Sequence, residues 1–251
     1  MSPLDFRFAH EYKTENNMMN IVITGGSKGM GKAMAEKFAA AKNNIFICSR
    51  NEKELAATTN EINKKYSGSA QYFSADLSHK NEVLKFADWL LKKKIQIDIL
   101  INNAGQFVPG NVYNEPEGNL EKMMKINLFS AYHLTRALLP QMIKNKSGHI
   151  FNISSIAALK AYHNGGSYSI SKYALMGFSK NLREEMKPFH IKVTTVYSGA
   201  VYTSSWEGAD ILPQRIMEVD DIANMIYAAS SLSPQACVED IVIRPLPGDL
   251  P

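Results

Sequence analysis

The chain has 251 residues, which is enough for one large α/β domain or two small ones with a sizeable buried core. Its 45% hydrophobic and 21% charged residues are typical of a globular protein. The net charge of +4 is mild, and the one dense basic run, Lys92-Lys93-Lys94, lies at the predicted end of a helix. No nucleic-acid-binding patch is therefore indicated.

The cysteines and the chain start indicate a reduced, cytoplasmic protein. Cys48 and Cys237 are far apart in apolar, strand-like segments, so neither a disulfide scaffold nor a zinc site is expected, and no metal is predicted. No apolar run approaches the roughly 18 residues of a membrane span, so no membrane partner is predicted. Residues 1–18 are polar and are expected to form a disordered lead-in before a single domain at 19–251.

From Asn20 onward, short apolar runs alternate with longer amphipathic ones. Strands are predicted at residues 21–24, 45–48, 71–74, 97–101, 149–153, 193–196 and 240–244. Helices are predicted between them at about 30–41, 52–65, 81–93, 120–144, 168–188 and 220–230. Strands that are apolar on both faces and alternate strictly with helices indicate a mainly parallel sheet with helices on both faces.

Two of these helices, 120–144 and 168–188, carry apolar surfaces wider than packing on one sheet face requires. We interpret this width as the sign of a subunit interface. The alternative is deep burial of both helices inside a monomer.

A glycine-rich turn joins the first strand to the first helix. Glycines 25, 29 and 31 allow a tight turn and a close approach of a pyrophosphate to the helix N-terminus. The expected dinucleotide contacts are Gly25, Ser27, Lys28, Gly29, Met30 and Gly31. The alternative is a turn with a purely structural role.

Two cations bear on the choice of dinucleotide. The second strand ends in Arg50, where domains that select NAD often carry a carboxylate, and Lys28 lies within the glycine turn. Because two cations would attract a 2′-phosphate, NADP(H) is favoured over NAD(H). The alternative is that both side chains point into solvent.

A set of polar residues follows the later strands. Tyr168 and Lys172 are four residues apart on a predicted helix and so share one face. Ser154 and Ser155 follow the fifth strand, and Asn102-Asn103-Ala104-Gly105 follows the fourth. The carboxyl ends of parallel strands are where open α/β sheets bind ligands, so these residues are expected in one site.

From Asn20 to about Pro245 the chain resembles the short-chain dehydrogenase/reductase family. The motifs that carry the resemblance are Thr-Gly-x-x-x-Gly-x-Gly at 24–31, Asp76-Leu77, Asn102-Asn103-Ala104-Gly105, Asn127, Ser155 and Tyr168-x-x-x-Lys172. The resemblance implies a Rossmann-type doubly wound domain with a seven-stranded sheet, NAD(P), and hydride transfer to or from a carbonyl carbon. It also implies a homotetramer or homodimer.

The chemistry of these residues agrees with that resemblance. Reduction of a ketone leaves an alkoxide that needs a proton, which the phenol of Tyr168 can give if its pKa is lowered. Lys172 would favour the phenolate, and the hydroxyl of Ser155, or less well that of Ser154, would steady the developing charge. The resemblance implies that Asn127 holds a water in a proton relay. Asn127 is also compatible with the role of a polar residue that bends its helix.

Further cofactor contacts are implied by the resemblance alone. Asp76-Leu77 and Asn103-Ala104-Gly105 would meet the adenosine half, and Tyr168, Lys172, Val201 and Thr203 the nicotinamide half. The chain departs from the family pattern in two places. It has Ser198-Gly199 where Pro-Gly is usual, and it ends near Val242-Ile243-Arg244-Pro245, as do members that act on 3-hydroxy acids, serine and small carbonyls.

The predicted function is therefore that of an NADPH-dependent oxidoreductase that interconverts a carbonyl and an alcohol, with Tyr168 as general acid/base. The alternative within enzymes is a 3-oxoacyl thioester reductase. The alternative from another class is an NADPH-sensing binding protein without catalysis, against which the intact set of four catalytic residue types argues.

Overall fold

In the computed structural model, which describes residues 18–206 and 211–250, seven strands form one sheet. In chain order they are β1 (Asn20–Thr24), β2 (Asn44–Ser49), β3 (Ala70–Ser74), β4 (Ile99–Asn102), β5 (Gly148–Ile153), β6 (Ile191–Ser198) and β7 (Asp240–Ile243). Their order across the sheet is β3-β2-β1-β4-β5-β6-β7, and every neighbouring pair is parallel. The predicted fold class is thus confirmed. The predicted lead-in lies outside the described residues except for Met18, and the domain extent of 19–251 stays a prediction.

Helices connect the strands. In chain order they are α1 (Gly29–Ala40), α2 (Glu52–Lys65), α3 (Lys80–Lys92), α4 (Asn119–Met124), α5 (Ser130–Asn145), α6 (Gly166–Met186) and α7 (Val219–Ser230). None of the helices within the described ranges is both long enough and apolar enough to cross a membrane.

Alternation along the strands divides the core into two layers. Ile21 and Ile23 of β1 pack in a cluster with α1, α2 and α7, whereas Val22 between them packs with α3, α5 and α6. Successive strand side chains point to opposite faces, so a strand buried on both faces must be apolar throughout. The unbroken apolar run of β1 therefore requires one helical layer on each side of the sheet.

The predicted helix 120–144 is interrupted in the structure. After α4, residues Lys125–Phe129 form a π-helical turn before α5 begins. The sequence prediction treated the whole stretch as one continuous helix, because apolar residues recur along it at helical spacing. Single π turns inside helices are frequent at functional sites, and this one contains Asn127.

Two other expectations meet mixed outcomes. Cys48 lies in a strand, β2, as expected and is buried, but Cys237 lies in the loop before β7 and is exposed. Within the two helical segments that have wide apolar surfaces, Leu134 and Leu182 are buried, whereas Tyr173 of α6 is partly exposed. The subunit interface therefore stays a prediction, which sedimentation velocity would test through the particle mass.

Candidate active site

The predicted site residues gather at one edge of the sheet. All strands are parallel, so their carboxyl ends meet there, and β1 sits at the point where the strand order reverses. Gly25 follows β1, Arg50 follows β2, Asn103 follows β4 and Ser155 lies just beyond β5. The fold thus brings together groups from four separate parts of the chain.

The glycine positions of this turn disfavour any residue with a side chain. Gly25 and Gly29 have positive φ of 68° and 54°, which favour glycine. A Cβ on Gly31 would lie 2.0 Å from the carbonyl oxygen of Gly25. Lys28 caps α1 without a side-chain hydrogen bond, so no cap side chain occupies the N–H groups of the first turn. These features fit the pyrophosphate of a dinucleotide.

The end of β4 is tied to this turn through Thr24. The Thr24 hydroxyl oxygen accepts the N–H groups of Asn103 and Ala104, each at 2.9 Å. The Asn103 amide nitrogen donates to the carbonyls of Thr24 at 2.8 Å and Gly25 at 3.2 Å. Asn103 therefore holds the turn in shape, and its ribose contact stays a prediction.

The edge formed by β2 and β3 carries the groups expected at the adenosine end. Arg50 is exposed, and its charge is close enough to affect Asp76. Partial burial raises the pKa of Asp76, but hydrogen bonds from Ser78 and the charges of Arg50 and His79 outweigh it and hold that pKa below its ordinary value. Leu77 has a buried side chain in the core, so a cofactor could meet only its backbone.

Two further features of this end were not foreseen. The Ser27 hydroxyl donates to the carboxylate of Glu54 at 3.2 Å, while Lys28 is exposed. The Ser49 hydroxyl is buried without a hydrogen-bond partner within the described structure. A buried polar atom of this kind is costly unless a ligand or water satisfies it, so Ser49 also fits a polar cofactor at the end of β2.

Tyr168, Ser155 and Lys172 form the centre of the site. The side chain of Ser155 lies within hydrogen-bonding reach of the Tyr168 phenol and acts to lower its pKa, and Lys172 Nζ lies 5.8 Å from the centroid of the Tyr168 ring. Lys172 Nζ donates to the carbonyl of Ile153 at 2.9 Å. Ser154 instead donates to the backbone carbonyl of Lys172 at 3.4 Å. Of the two candidate serines, Ser155 is the one whose side chain acts on the phenol.

The protonation of this centre differs from the expectation. Burial raises the pKa of Tyr168, and the hydrogen bond with Ser155 only partly opposes this. Burial lowers the pKa of Lys172 to about 8. We expected Lys172 to lower the pKa of the phenol, but burial of the phenol dominates and raises that pKa. Tyr168 is thus protonated at neutral pH, in the form that can donate a proton.

Asn127 is buried in the π-helical turn and joins three parts of the site. Its Oδ1 accepts the Gln106 N–H at 2.8 Å, and its Nδ2 donates to the Gln106 carbonyl at 3.0 Å and to Ser171 Oγ at 2.9 Å. A Cβ on Gly105 would lie 3.1 Å from Asn127 Oδ1 and 3.5 Å from Lys172 Nζ. Asn127 and Lys172 therefore both border Gly105, and the part of Asn127 in a water relay stays a prediction.

The segment after β6 closes the other side of the site. Val201 is buried and forms a parallel bridge with Met217. The side chain of Thr203 lies 3.3 Å from the position that a Cβ on Gly29 would take, next to the glycine turn. The stretch between β6 and α7 contains short 3₁₀ turns at Ser204–Trp206 and Pro213–Arg215, and residues 207–210 lie outside the described part.

Phe107 is a site residue that the sequence analysis missed. Its ring meets the Tyr168 ring edge to face, with centroids 4.8 Å apart, and it is 48% exposed. The segment after β4 has no helical or strand period, so nothing in the pattern placed Phe107 against the tyrosine.

The buried ammonium group of Lys172 predicts a specific dependence of stability on pH. Below pH 8 both folded and unfolded chains hold the proton, and the folded chain bears the cost of burying the charge. Between pH 8 and 10.5 the unfolded chain holds more protons, so the free energy of unfolding should rise with pH, by about 3 kcal/mol on linkage arithmetic.

Urea unfolding of wild type and Lys172→Met at pH 7, 8, 9 and 10 measures this effect. The wild type should gain stability relative to Lys172→Met above pH 8. The exposed lysine of the same helix provides the control Lys180→Met, which should show no such gain. A pH-independent difference between wild type and Lys172→Met would contradict the lowered pKa.

The chain is similar to known proteins in both sequence and fold. The sequence model of the family described as short chain dehydrogenase matches residues 19–210. Sepiapterin reductase of Chlorobaculum tepidum is 31% identical over 238 residues, which cover 92% of this chain and 97% of that protein. A metagenomic short-chain oxidoreductase solved in complex with NADP is 30% identical with a TM-score of 0.79, covering 90% of this chain and 96% of the other.

A third similarity concerns the fold alone. The serine dehydrogenase of Escherichia coli is 23% identical, has a TM-score of 0.81, and aligns over 92% of this chain and 100% of its own. The resemblance drawn from the motifs is confirmed by these findings.

Proposed function

Because the chain belongs to the short-chain dehydrogenase family, we propose that it is an NADPH-dependent reductase that converts a ketone or aldehyde to an alcohol. The observation that carries the proposal is the cluster of Ser155, Tyr168 and Lys172 at the carboxyl edge of the sheet, beside the glycine turn. Hydrogen-bonding phenol and hydroxyl groups at this position suit a carbonyl oxygen.

The residues of the chain bind the substrate oxygen and supply the proton. NADPH, when bound, supplies the hydride that reduces the carbonyl carbon. The hydroxyl of Ser155 donates a hydrogen bond to the carbonyl oxygen and stabilises the negative charge that develops on it. Tyr168 gives its phenolic proton to that oxygen, and the bond between proton and phenol oxygen breaks as the alcohol forms. The ammonium of Lys172 stabilises the resulting phenolate.

The cofactor is NADP(H). The metagenomic relative binds NADP at 30% identity over nearly the whole chain, and this chain has Arg50 and Lys28 exposed near the glycine turn. The remaining proposed contacts are Gly25, Ser27, Gly29, Met30, Gly31, Asp76, Leu77, Asn103, Ala104, Gly105, Tyr168, Lys172, Val201 and Thr203. Asn127 completes the proposed catalytic set. A homodimer or homotetramer and a cytoplasmic location remain parts of the proposal.

A fluorescence titration followed by a carbonyl panel tests the proposal. Purified protein should bind NADPH more tightly than NADH. NADPH consumption is then followed at 340 nm with small ketones and aldehydes, sepiapterin, a 3-oxoacyl thioester and, in the reverse direction with NADP⁺, L-serine and a 3-hydroxy acid. We include sepiapterin because the Chlorobaculum tepidum relative is a sepiapterin reductase.

Turnover of at least one small carbonyl would support the proposal. Turnover of the 3-oxoacyl thioester alone would favour the alternative reductase. Tight NADPH binding without turnover of any panel member would favour a cofactor-sensing protein and contradict the catalytic claim.

A further inference from the structure

The segment that follows β4, residues 106–115, crosses the start of the helix that carries Tyr168. We name this segment the strap. One end of the strap is fixed by Asn127, which bonds both the N–H and the carbonyl of Gln106. One of its two aromatic side chains, that of Phe107, packs on the Tyr168 ring. The strap therefore contacts two of the proposed catalytic residues directly.

The other end of the strap is fixed by Glu115. Glu115 Oε1 accepts a hydrogen bond from the Ser167 hydroxyl at 2.5 Å, and Glu115 Oε2 accepts one from the Ser167 backbone N–H at 3.3 Å. Ser167 is buried and immediately precedes Tyr168 in the first turn of α6. The carboxylate thus satisfies an N–H of the first turn that has no partner within the helix, and its charge is favourable at a helix N-terminus.

The backbone at Gly166 leaves no space for a side chain next to the Glu115 carboxylate. Gly166 has φ of +36°, and a Cβ there would lie 2.4 Å from the Gly110 carbonyl oxygen and 3.1 Å from Glu115 Oε2. Two further hydrogen bonds join the same elements, from the Gly110 N–H to the Asn164 carbonyl and from the Asn164 N–H to Asn111 Oδ1, each at 3.1 Å. The strap and the helix start are packed without room for a side chain between them.

We propose that Glu115 is a positioning residue of the active site, whose carboxylate fixes the first turn of α6 and the strap and thereby holds the Tyr168 phenol against Ser155. This inference rests on the proposed function, since it assigns Glu115 a part in the reaction through Tyr168. Small displacements of a reacting group are costly in catalysis, by as much as about 100-fold for 1 Å.

The test uses Glu115→Ala, Glu115→Gln and Ser167→Ala, with Glu117→Ala as the control, because Glu117 is exposed on the same loop. We expect Glu115→Ala to lower kcat for the best panel substrate by roughly 10- to 100-fold, with KM and the Kd of NADPH changed less than about twofold. Glu115→Gln keeps an acceptor for the Ser167 hydroxyl and should recover part of kcat. The double variant Glu115→Ala/Ser167→Ala should have a kcat no lower than that of Glu115→Ala alone, because each of the two substitutions removes the same contact.

Hydrogen exchange provides a second readout that does not depend on turnover. In the protein without substrate, the backbone amides of Ser167 and Ser169 should exchange roughly five- to tenfold faster in Glu115→Ala than in wild type, as expected for a lost helix cap. Glu117→Ala should leave both rates unchanged.

Faster exchange together with a fall confined to kcat supports the proposal. Unchanged exchange in Glu115→Ala overturns it whatever the activity, and faster exchange with unchanged kcat overturns the positioning role. Absence of turnover in the wild type would be a failure of the proposed function, and hence of the catalytic claim for Glu115, while exchange would still decide whether Glu115 caps α6.

Discussion

Replacing Tyr168 with phenylalanine should lower kcat for carbonyl reduction by at least about 100-fold, the lower limit of what a general acid contributes. Phenylalanine keeps the ring that packs on Phe107 and removes only the phenolic hydroxyl, which lies within hydrogen-bonding reach of Ser155. The affinity for NADPH should therefore change little, because the loss falls on the transfer of the proton and not on the packing of the site.

Steady-state kinetics and an NADPH titration of Tyr168→Phe provide the measurement. Tyr173→Phe is the matched control, since Tyr173 lies on the same helix and is partly exposed. It should retain wild-type kcat. If Tyr168→Phe also kept wild-type turnover on a confirmed substrate, the assignment of Tyr168 as the proton donor would be wrong.

The pH profile of the reaction should reflect the raised pKa of Tyr168. A donor must hold its proton, so reduction should proceed at full rate at neutral pH, where burial keeps the phenol protonated. Oxidation of the alcohol needs the phenolate and should accelerate as pH rises. Burial of the phenol thus keeps Tyr168, at neutral pH, in the protonated form that reduction requires.

The sheet and the location of the site could be predicted because both follow from local patterns. The run at 21–23 is apolar at every position, and a strand of that kind requires cover on both faces. Once the strands are parallel, the residues that follow them must meet at one edge. Gly25, Arg50 and Ser155 are brought together for that reason, although they are far apart in the chain.

Contacts made by the loops could not be predicted in the same way. Glu115 meets Ser167 and Phe107 meets Tyr168 only because the strap folds back over α6. The strap has neither a helical nor a strand period, so its path depends on tertiary packing. The contact between Ser27 and Glu54 arises similarly from the packing of α2 against the glycine turn.

The interruption of the helix at Asn127 shows a third kind of limit. The pattern of apolar residues across 120–144 is that of a continuous helix, and a polar residue within it was compatible with a bend. Within the π turn, Asn127 is hydrogen-bonded to Gln106 and Ser171, which are distant in sequence. Such bonds enter only when the fold has formed.

The choice between the two dinucleotides should depend on Arg50. We expect Arg50→Asp to raise the Kd of NADPH by roughly 100-fold and that of NADH by less than about threefold, because only NADPH carries a 2′-phosphate. A lost charged hydrogen bond costs about 1.5–3 kcal/mol, and the new carboxylate adds repulsion. Arg50 is exposed beside Asp76, so part of its charge is already balanced, and Lys28 remains available in the variant.

Fluorescence titrations of both nucleotides at one ionic strength give these constants, since exposed charges are screened by salt. Lys64→Asp is the control for the change in net charge, because Lys64 is exposed near the far end of α2. It should leave both affinities unchanged. An equal loss of NADPH and NADH binding in Arg50→Asp would mean that Arg50 supports the fold of the nucleotide site and does not recognise the 2′-phosphate.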